Sequence, residues 1–170
     1  ERHMTRINEY HKPPNLAEAL ALLGRSEPAT YPLGGGTHFR RSGAWPPAVV
    51  DLAALNLAGA VRGENAWFIG ATTTLEEIAA AEGLPDALRR AAVRQAPRNI
   101  RQRATLGGAV ASGDSGALLS CLIALEARLM VEPGGQLMSL DMYLPNRTQP
   151  GHLITACYLP HGRTCAFAEI

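Results

Sequence analysis

Two glycine-rich segments are the parts of this sequence best suited to binding a ligand. The first is Leu33-Gly34-Gly35-Gly36-Thr37-His38, and the second is Arg103-Ala104-Thr105-Leu106-Gly107-Gly108. Adjacent glycines allow positive φ and let backbone amides approach a ligand closely. Turns of this kind bind phosphates through several N–H groups at once. Two such turns in 170 residues predict a ligand with two phosphates, which indicates a dinucleotide.

Composition and charge exclude several other classes of protein. The content of hydrophobic residues is 46% and of charged residues 18%, as expected for a globular, soluble chain with a real core. The net charge of +1 argues against a nucleic-acid partner, and no apolar run is long enough for a membrane partner. Cys121, Cys157 and Cys165 lack metal-site spacing and predict reduced thiols in a cytoplasmic compartment. We therefore expect neither a metal site nor a disulfide framework.

The elements around the first glycine segment predict a small α/β lobe. Asn15 is a good N-cap with Glu18 at the capping-box position, apolar residues follow at helical spacing through 16–23, and Gly24 ends the helix. Extended segments are predicted at 7–11, 30–33 and 48–52. The glycine segment then follows the carboxyl end of a strand, where ligands usually bind in α/β folds.

The rest of the chain predicts a larger lobe with an antiparallel sheet and helices. A hairpin is expected around 63–65, and Thr74 with Glu77 can cap the next helix. Further helices are expected at 84–93 and 118–125, and strands at 128–132 and 152–160. The predicted fold class is α+β, with an N-terminal lobe over residues 5–54 and a second lobe over 55–170.

The ordered set of motifs resembles the FAD-binding domain of the molybdopterin dehydrogenases. This family includes the flavin subunit or domain of xanthine dehydrogenase and carbon monoxide dehydrogenase. The similarity runs from Tyr10 to Phe167 and is carried by the segments 33–37, 50–52, 69–74, 100–101, 104–108 and 153–154. The resemblance implies that the two glycine segments face one cleft and hold the FAD pyrophosphate between the lobes. It also implies that the family's smaller C-terminal domain lies outside this sequence.

Carried over residue by residue, the resemblance implies a set of cofactor-binding positions. These are Leu33, Gly34, Gly35, Gly36, Thr37, His38, Thr105, Leu106, Gly107, Gly108, Asp114 and Leu153. The amides of 35–38, Thr105 and Gly108 would contact the pyrophosphate, and Leu106 and Leu153 would lie beside the flavin or adenine rings. Asp114 is interpreted either as an N-cap for the following helix or as a contact to the ribityl or ribose group.

The function implied by the resemblance is that of a flavin subunit or domain of an oxidoreductase. FAD would pass electrons from iron–sulfur partners to an acceptor within a complex that also contains a molybdopterin-binding subunit. We expect no catalytic side chain in this chain, and we interpret Arg101 and Arg103 as solvated or salt-bridged residues and Cys121 as a core residue.

The sequence departs from the family pattern at three places. Ala109 stands where the family has Asn, Ala117 where it has Asp, and Ala168-Glu169 where a basic residue follows the aromatic residue. These departures support an alternative hypothesis, in which the chain is a degenerate member that acts as a non-flavin binding or assembly module.

Overall fold

The first lobe is a three-stranded parallel sheet connected by two helices. The structure, a computed structural model, describes residues 7–147 and 149–165. The strand order is β1-β3-β2. The elements are β1 (Glu9–His11), α1 (Leu16–Leu23), β2 (Thr30–Leu33), α2 (Thr37–Ser42) and β3 (Ala48–Asp51). The Asn15 side chain accepts from the Glu18 amide at 2.9 Å, which confirms the predicted N-cap.

A small core holds α1 against this sheet. Ala19 and Leu23 on one face of α1 are fully buried and pack with Val50 and Leu52. Leu153, which comes from the second lobe, completes the same cluster. The first lobe therefore depends on a residue more than a hundred positions further along the chain.

The second lobe contains a five-stranded antiparallel sheet in the order β4-β5-β8-β6-β7. Its strands are β4 (Ala60–Arg62), β5 (Ala66–Gly70), β6 (Arg128–Glu132), β7 (Gln136–Ser139) and β8 (Leu153–Pro160). The hairpin expected around 63–65 is formed by β4 and β5, which pair antiparallel. Strand β8 lies at the centre of the sheet and pairs with both β5 and β6.

In the described part of the second lobe, six helices belong to the same lobe as this sheet. They are α3 (Leu75–Ala80), α4 (Asp86–Gln95), α5 (Arg98–Arg101), α6 (Leu106–Ser112), α7 (Ala117–Ala124) and α8 (Leu140–Asn146). Both halves of the Thr74–Glu77 capping box are present. The main core joins buried residues of α3, α4, α6 and α7 to the inward side of the sheet, and Cys121 is buried in it, as predicted. The α+β fold class is confirmed.

Several elements of the structure were not expected from the sequence, namely the short helices α2, α5, α6 and α8 and the strand β7. Helix α2 has only six residues, THFRRS, which carry no apolar stripe, and glycines bound it at both ends. Strand β7 is a short strand at the edge of the sheet, and buried and exposed residues do not alternate along it. Helix α8 contains Pro145, a residue that normally argues against a helix.

Within the described ranges, no single helix is long and apolar enough to cross a membrane. Helices α6 and α7 reach that length and composition only when taken together, and they are bent by 97° relative to each other. The positions Phe167, Ala168 and Glu169, where part of the family resemblance falls, lie outside the described residues.

Candidate functional site between the lobes

The two glycine segments touch each other where the lobes meet. A Cβ on Gly35 would lie 1.5 Å from the Arg103 carbonyl oxygen, and one on Gly34 would lie 2.8 Å from Thr105 Oγ1. Neither position has a positive φ, so the reason for glycine here is close approach of two backbones. The two segments therefore form one packed junction.

A cavity of about 800 Å³ opens beside this junction, within the range typical of ligand sites. Gly36 and Gly108 both line it, so the expectation that the two segments face one cleft is confirmed. The first lobe contributes Gly35, Gly36, Thr37, His38, Arg40, Arg41 and Trp45. The second lobe contributes Leu75, Gln95, Ala96, Pro97, Asn99, Ile100, Arg103, Ala104, Gly108, Ala109, Ser112 and Asp114.

The first glycine segment presents backbone donors to the cleft. Gly36 has φ +70°, a left-handed conformation that favours glycine, and it precedes α2 as the N-cap residue. Thr37 and His38 lie in the first turn of this helix, where amides have no intrahelical acceptor. In the part of the chain that the structure describes, no side chain caps this helix end. These amides are therefore available to an anion in the cleft.

The second glycine segment is built differently from the expectation. Gly107 and Gly108 lie in the first turn of α6 and have no positive φ. The amide of Gly107 donates to the Ala71 carbonyl at 2.8 Å, and that of Gly108 donates to Thr105 Oγ1 at 3.2 Å. The expectation that the Gly108 amide is free for a phosphate is wrong, because Thr105 is the N-cap of α6 and occupies it.

The glycines of α6 instead allow close packing and leave open space. A Cβ on Gly107 would lie 2.9 Å from the Cβ of Ala71, so this glycine brings the helix onto the second lobe. A Cβ on Gly108 would meet only Thr105 Oγ1, at 2.9 Å, and Gly108 lines the cavity. Gly108 therefore lines the cavity with backbone atoms alone, which leaves room for a ligand.

Three of the leucines named from the sequence lie behind the cleft surface. Leu106 is 1% exposed in the main core, and Leu153 is 2% exposed in the core of the first lobe. Leu33 is half-buried, and its Cδ1 lies 3.4 Å from the position of a Cβ on Gly36. These side chains shape the site from within the protein.

Positive charge dominates the polar lining of the cleft. Arg40, Arg41 and Arg103 all line it, against the single carboxylate of Asp114. Neither the Arg40 nor the Arg103 side chain has a hydrogen bond or ion pair with another described residue. Arg101, by contrast, is salt-bridged as predicted, because it donates to Glu76 at 2.9 Å and to the Ala96 carbonyl at 3.0 Å.

Asp114 connects the lobes across the cleft by an ion pair with Arg41 of α2. This hydrogen bond from Arg41 is the main reason that the pKa of Asp114 lies below its ordinary value. The interpretation of Asp114 as an N-cap is wrong, because Gly116 occupies that position before α7. The side chain instead holds the guanidinium of Arg41 at the edge of the site.

Sequence reasoning missed several cleft residues, above all Arg40, Arg41, Trp45 and Asn99. The adjacent arginines, four and five residues after the last glycine of the turn, were a usable signal for a phosphate site. Trp45 and Asn99 gave no local signal, since only the folded arrangement brings their segments to one cavity.

The residues present fit FAD. Amides at 37–38 and the two arginines without partners among the described residues, Arg40 and Arg103, suit a pyrophosphate, which bears negative charge. The apolar lining from Trp45, Pro97 and Ile100 suits planar rings.

Comparison with known proteins assigns the chain to a family. The model for the FAD binding domain in molybdopterin dehydrogenase matches residues 4–162, so the chain belongs to this family, and FAD is its cofactor. The resemblance seen in the sequence is thereby confirmed.

Several of the proteins that this chain resembles are carbon monoxide dehydrogenases. The chain is 30% identical over 167 residues to the carbon monoxide dehydrogenase medium chain of Afipia carboxidovorans, covering 89% of this chain and 58% of the relative. The structure of reconstituted CO dehydrogenase from Oligotropha carboxidovorans matches with a TM-score of 0.82 at 28% identity, over 89% and 58% of the two chains. Carbon monoxide dehydrogenase from Hydrogenophaga pseudoflava matches with a TM-score of 0.80 at 27% identity, over 94% and 59%. The chain thus spans a little over half the length of these relatives.

Proposed function

We propose that this chain holds FAD in the cleft between its lobes and serves as the flavin electron-transfer module of a molybdenum-hydroxylase-type oxidoreductase. Electrons would reach it from an iron–sulfur subunit and leave for a terminal acceptor, in a complex that includes a molybdopterin-binding subunit. The observation that carries the proposal is the cleft itself, in which the amides at the start of α2 face one cavity together with Arg40 and Arg103, two arginines from different lobes that have no partner among the described residues. The relationship to a carbon monoxide dehydrogenase medium chain supports it.

The pyrophosphate would be held from both lobes. Thr37 and His38 offer amides at the start of α2, and Arg40 adds charge from the same helix. Arg103 contributes its guanidinium from the second lobe, and its own backbone carbonyl is the group that lies against Gly35. Arginine binds phosphate oxygens through charge-assisted, often paired hydrogen bonds. Binding across the junction would therefore fix the orientation of the lobes as well as the cofactor.

The residues of this chain would bind and orient FAD, while the cofactor itself supplies the redox chemistry. Bound FAD supplies the exchange of one or two electrons. Asp114 is engaged with Arg41, which leaves this carboxylate charged and committed to a positioning role. Gly108 keeps the wall beside the Thr105 cap open, and Leu106 and Leu153 support the cleft from the two cores. We include the predicted cytoplasmic location in the proposal, with which the free thiols of Cys121, Cys157 and Cys165 are consistent.

The direct test is flavin loading of the purified protein. The protein is stripped of flavin, incubated with FAD, passed through gel filtration and examined in the flavin absorption bands. We expect stoichiometric FAD that dithionite reduces and ferricyanide reoxidises without release from the chain.

A matched pair of arginine variants locates the binding. Arg103→Ala should weaken FAD binding by roughly ten- to a hundred-fold, the value of a charge-assisted hydrogen bond. Arg163→Ala removes an arginine that pairs with Glu126 outside the cleft lining, and it should bind FAD normally. A folded wild-type protein that binds no FAD would contradict the proposal. Equal losses in both variants would contradict the assignment of the site to this cleft.

A further inference from the structure

Trp45 lines the cleft next to the first glycine segment. It follows α2 and precedes β3, it is half-buried, and it lines the cavity. Its Cη2 atom lies 3.8 Å from the position that a Cβ on Gly36 would take, so the indole stands next to the glycine turn. The ring therefore lies within a few ångströms of the proposed pyrophosphate site.

The surroundings of Trp45 restrict its orientation. Its ring contacts that of Phe39, with the centroids 5.8 Å apart and the planes at 37°. Pro46 and Pro47 follow directly, and a proline limits the backbone of the residue before it. The contact with Phe39 and the restricted backbone thus limit the positions of the indole before any ligand arrives, which lowers the entropic cost of using it as a contact.

The chemistry of the site suggests what this ring would bind. Trp45 adds a flat apolar surface to a cleft whose polar lining is basic. Pro97 and Ile100 of the second lobe add further apolar surface to the same cavity. A ligand that places a planar ring next to a phosphate group matches this combination, because an aromatic side chain can stack on the ring while donors hold the phosphate.

We propose that the indole of Trp45 stacks on one of the two planar rings of FAD, adenine or isoalloxazine. This inference rests on the proposed function, since it needs FAD in the cleft. Stacking of this kind changes affinity by roughly five- to a hundred-fold when the aromatic residue is truncated. Trp45 is then a positioning residue for the cofactor.

The second tryptophan of the chain provides the control. Trp67 lies on β5, where its ring meets that of His161 at 6.4 Å and approaches Gly83. It is absent from the cleft lining. Trp67→Leu therefore removes an equal ring from the protein without touching the proposed site.

The experiment measures the affinities of wild type, Trp45→Leu, Trp45→Phe and Trp67→Leu for FAD, ADP and FMN by calorimetry. We expect Trp45→Leu to lose roughly five- to a hundred-fold for FAD, while Trp45→Phe keeps most of the affinity and Trp67→Leu keeps all of it. Loss for ADP but not FMN identifies adenine as the stacked ring. Loss for FMN but not ADP identifies isoalloxazine, and the fluorescence of bound flavin should then increase in Trp45→Leu.

Contact can also be measured without any substitution. Intermolecular nuclear Overhauser effects between the Trp45 indole and ring protons of the bound ligand are expected in the wild-type protein, so a variant that fails to fold does not block the test. Unchanged FAD affinity in folded Trp45→Leu, or no such effects with FAD bound, overturns the stacking role and leaves FAD binding intact. A wild-type protein that binds none of the three ligands overturns both proposals.

Discussion

Replacing Gly35 by alanine tests whether the two lobes meet as described. The new Cβ would lie 1.5 Å from the Arg103 carbonyl oxygen, 2.4 Å from its carbonyl carbon and 3.3 Å from the Ala104 amide nitrogen. The obstacle is backbone, which cannot rotate away as a side chain can. To restore even the closest tolerated separation of 3.0 Å, the two segments must part by about 1.5 Å.

The expected cost follows from this overlap. Overpacking of a tightly packed site typically costs about 1–3 kcal/mol of the free energy of unfolding. For a chain of this size that corresponds to a decrease of about 2–12 °C in Tm. Separation of the segments also moves Arg103 away from the amides at 37–38. We therefore expect FAD affinity to fall by roughly tenfold or more, the equivalent of one lost charge-assisted hydrogen bond.

The assay combines thermal unfolding without ligand and calorimetry with FAD at a temperature where all proteins are folded. Gly24→Ala is the matched control, because its Cβ would lie 3.2 Å from the Leu20 carbonyl at the end of α1, outside the cleft lining. It should change both quantities only slightly. If Gly35→Ala retained the Tm and the FAD affinity of the wild type, the described contact between the glycine segments would be refuted.

Further substitutions probe other parts of the cleft. Gly108→Val should abolish FAD binding in a folded protein, because the side chain fills the open wall beside Thr105; equal affinities by FAD titration would contradict this. Ala109→Asn should strengthen binding by about 0.5–1.5 kcal/mol through one new hydrogen bond, measured by calorimetry; an unchanged or weaker affinity would count against it. Asp114→Asn should lower the free energy of unfolding by about 0.2–1 kcal/mol near neutral pH, since the pair with Arg41 is partly exposed. Because Arg41 lowers the pKa of Asp114, the difference in free energy of unfolding between wild type and variant should be full above the ordinary aspartate pKa. It should disappear as the pH falls through the lowered pKa of Asp114 in the folded protein. A difference that does not change with pH in denaturant titrations would refute this reasoning.

Local features of the structure were predictable from the sequence because their causes are local. The Asn15 and Thr74 caps depend on residues three positions away, and the β4–β5 hairpin on a short turn. That the two glycine segments share one cleft was correctly expected, because two of them occur in a small chain; their role in holding the cofactor stays a prediction.

The roles of Gly35 and Gly107 were not predictable, since their causes are distant in sequence. Gly35 is required by the carbonyl of Arg103, and Gly107 by Ala71. Whether the Gly108 amide was free depended on the hydroxyl of Thr105, and a threonine three residues before a glycine could have been recognised as an N-cap. The inter-lobe pair of Asp114 with Arg41 required knowledge of both lobes at once.

The central position of β8 has a consequence for how the chain acquires its structure. The β4–β5 and β6–β7 hairpins are local and can form early, but each leaves one edge unpaired until β8 arrives between them. Pairs such as Ala66 with Pro160 close a long stretch of chain, which slows folding. The same strand begins with Leu153, which fills the core of the first lobe. During synthesis neither lobe can complete its structure until β8 has been made. Chains arrested before β8 should therefore expose sheet edges and be captured by chaperones or proteases.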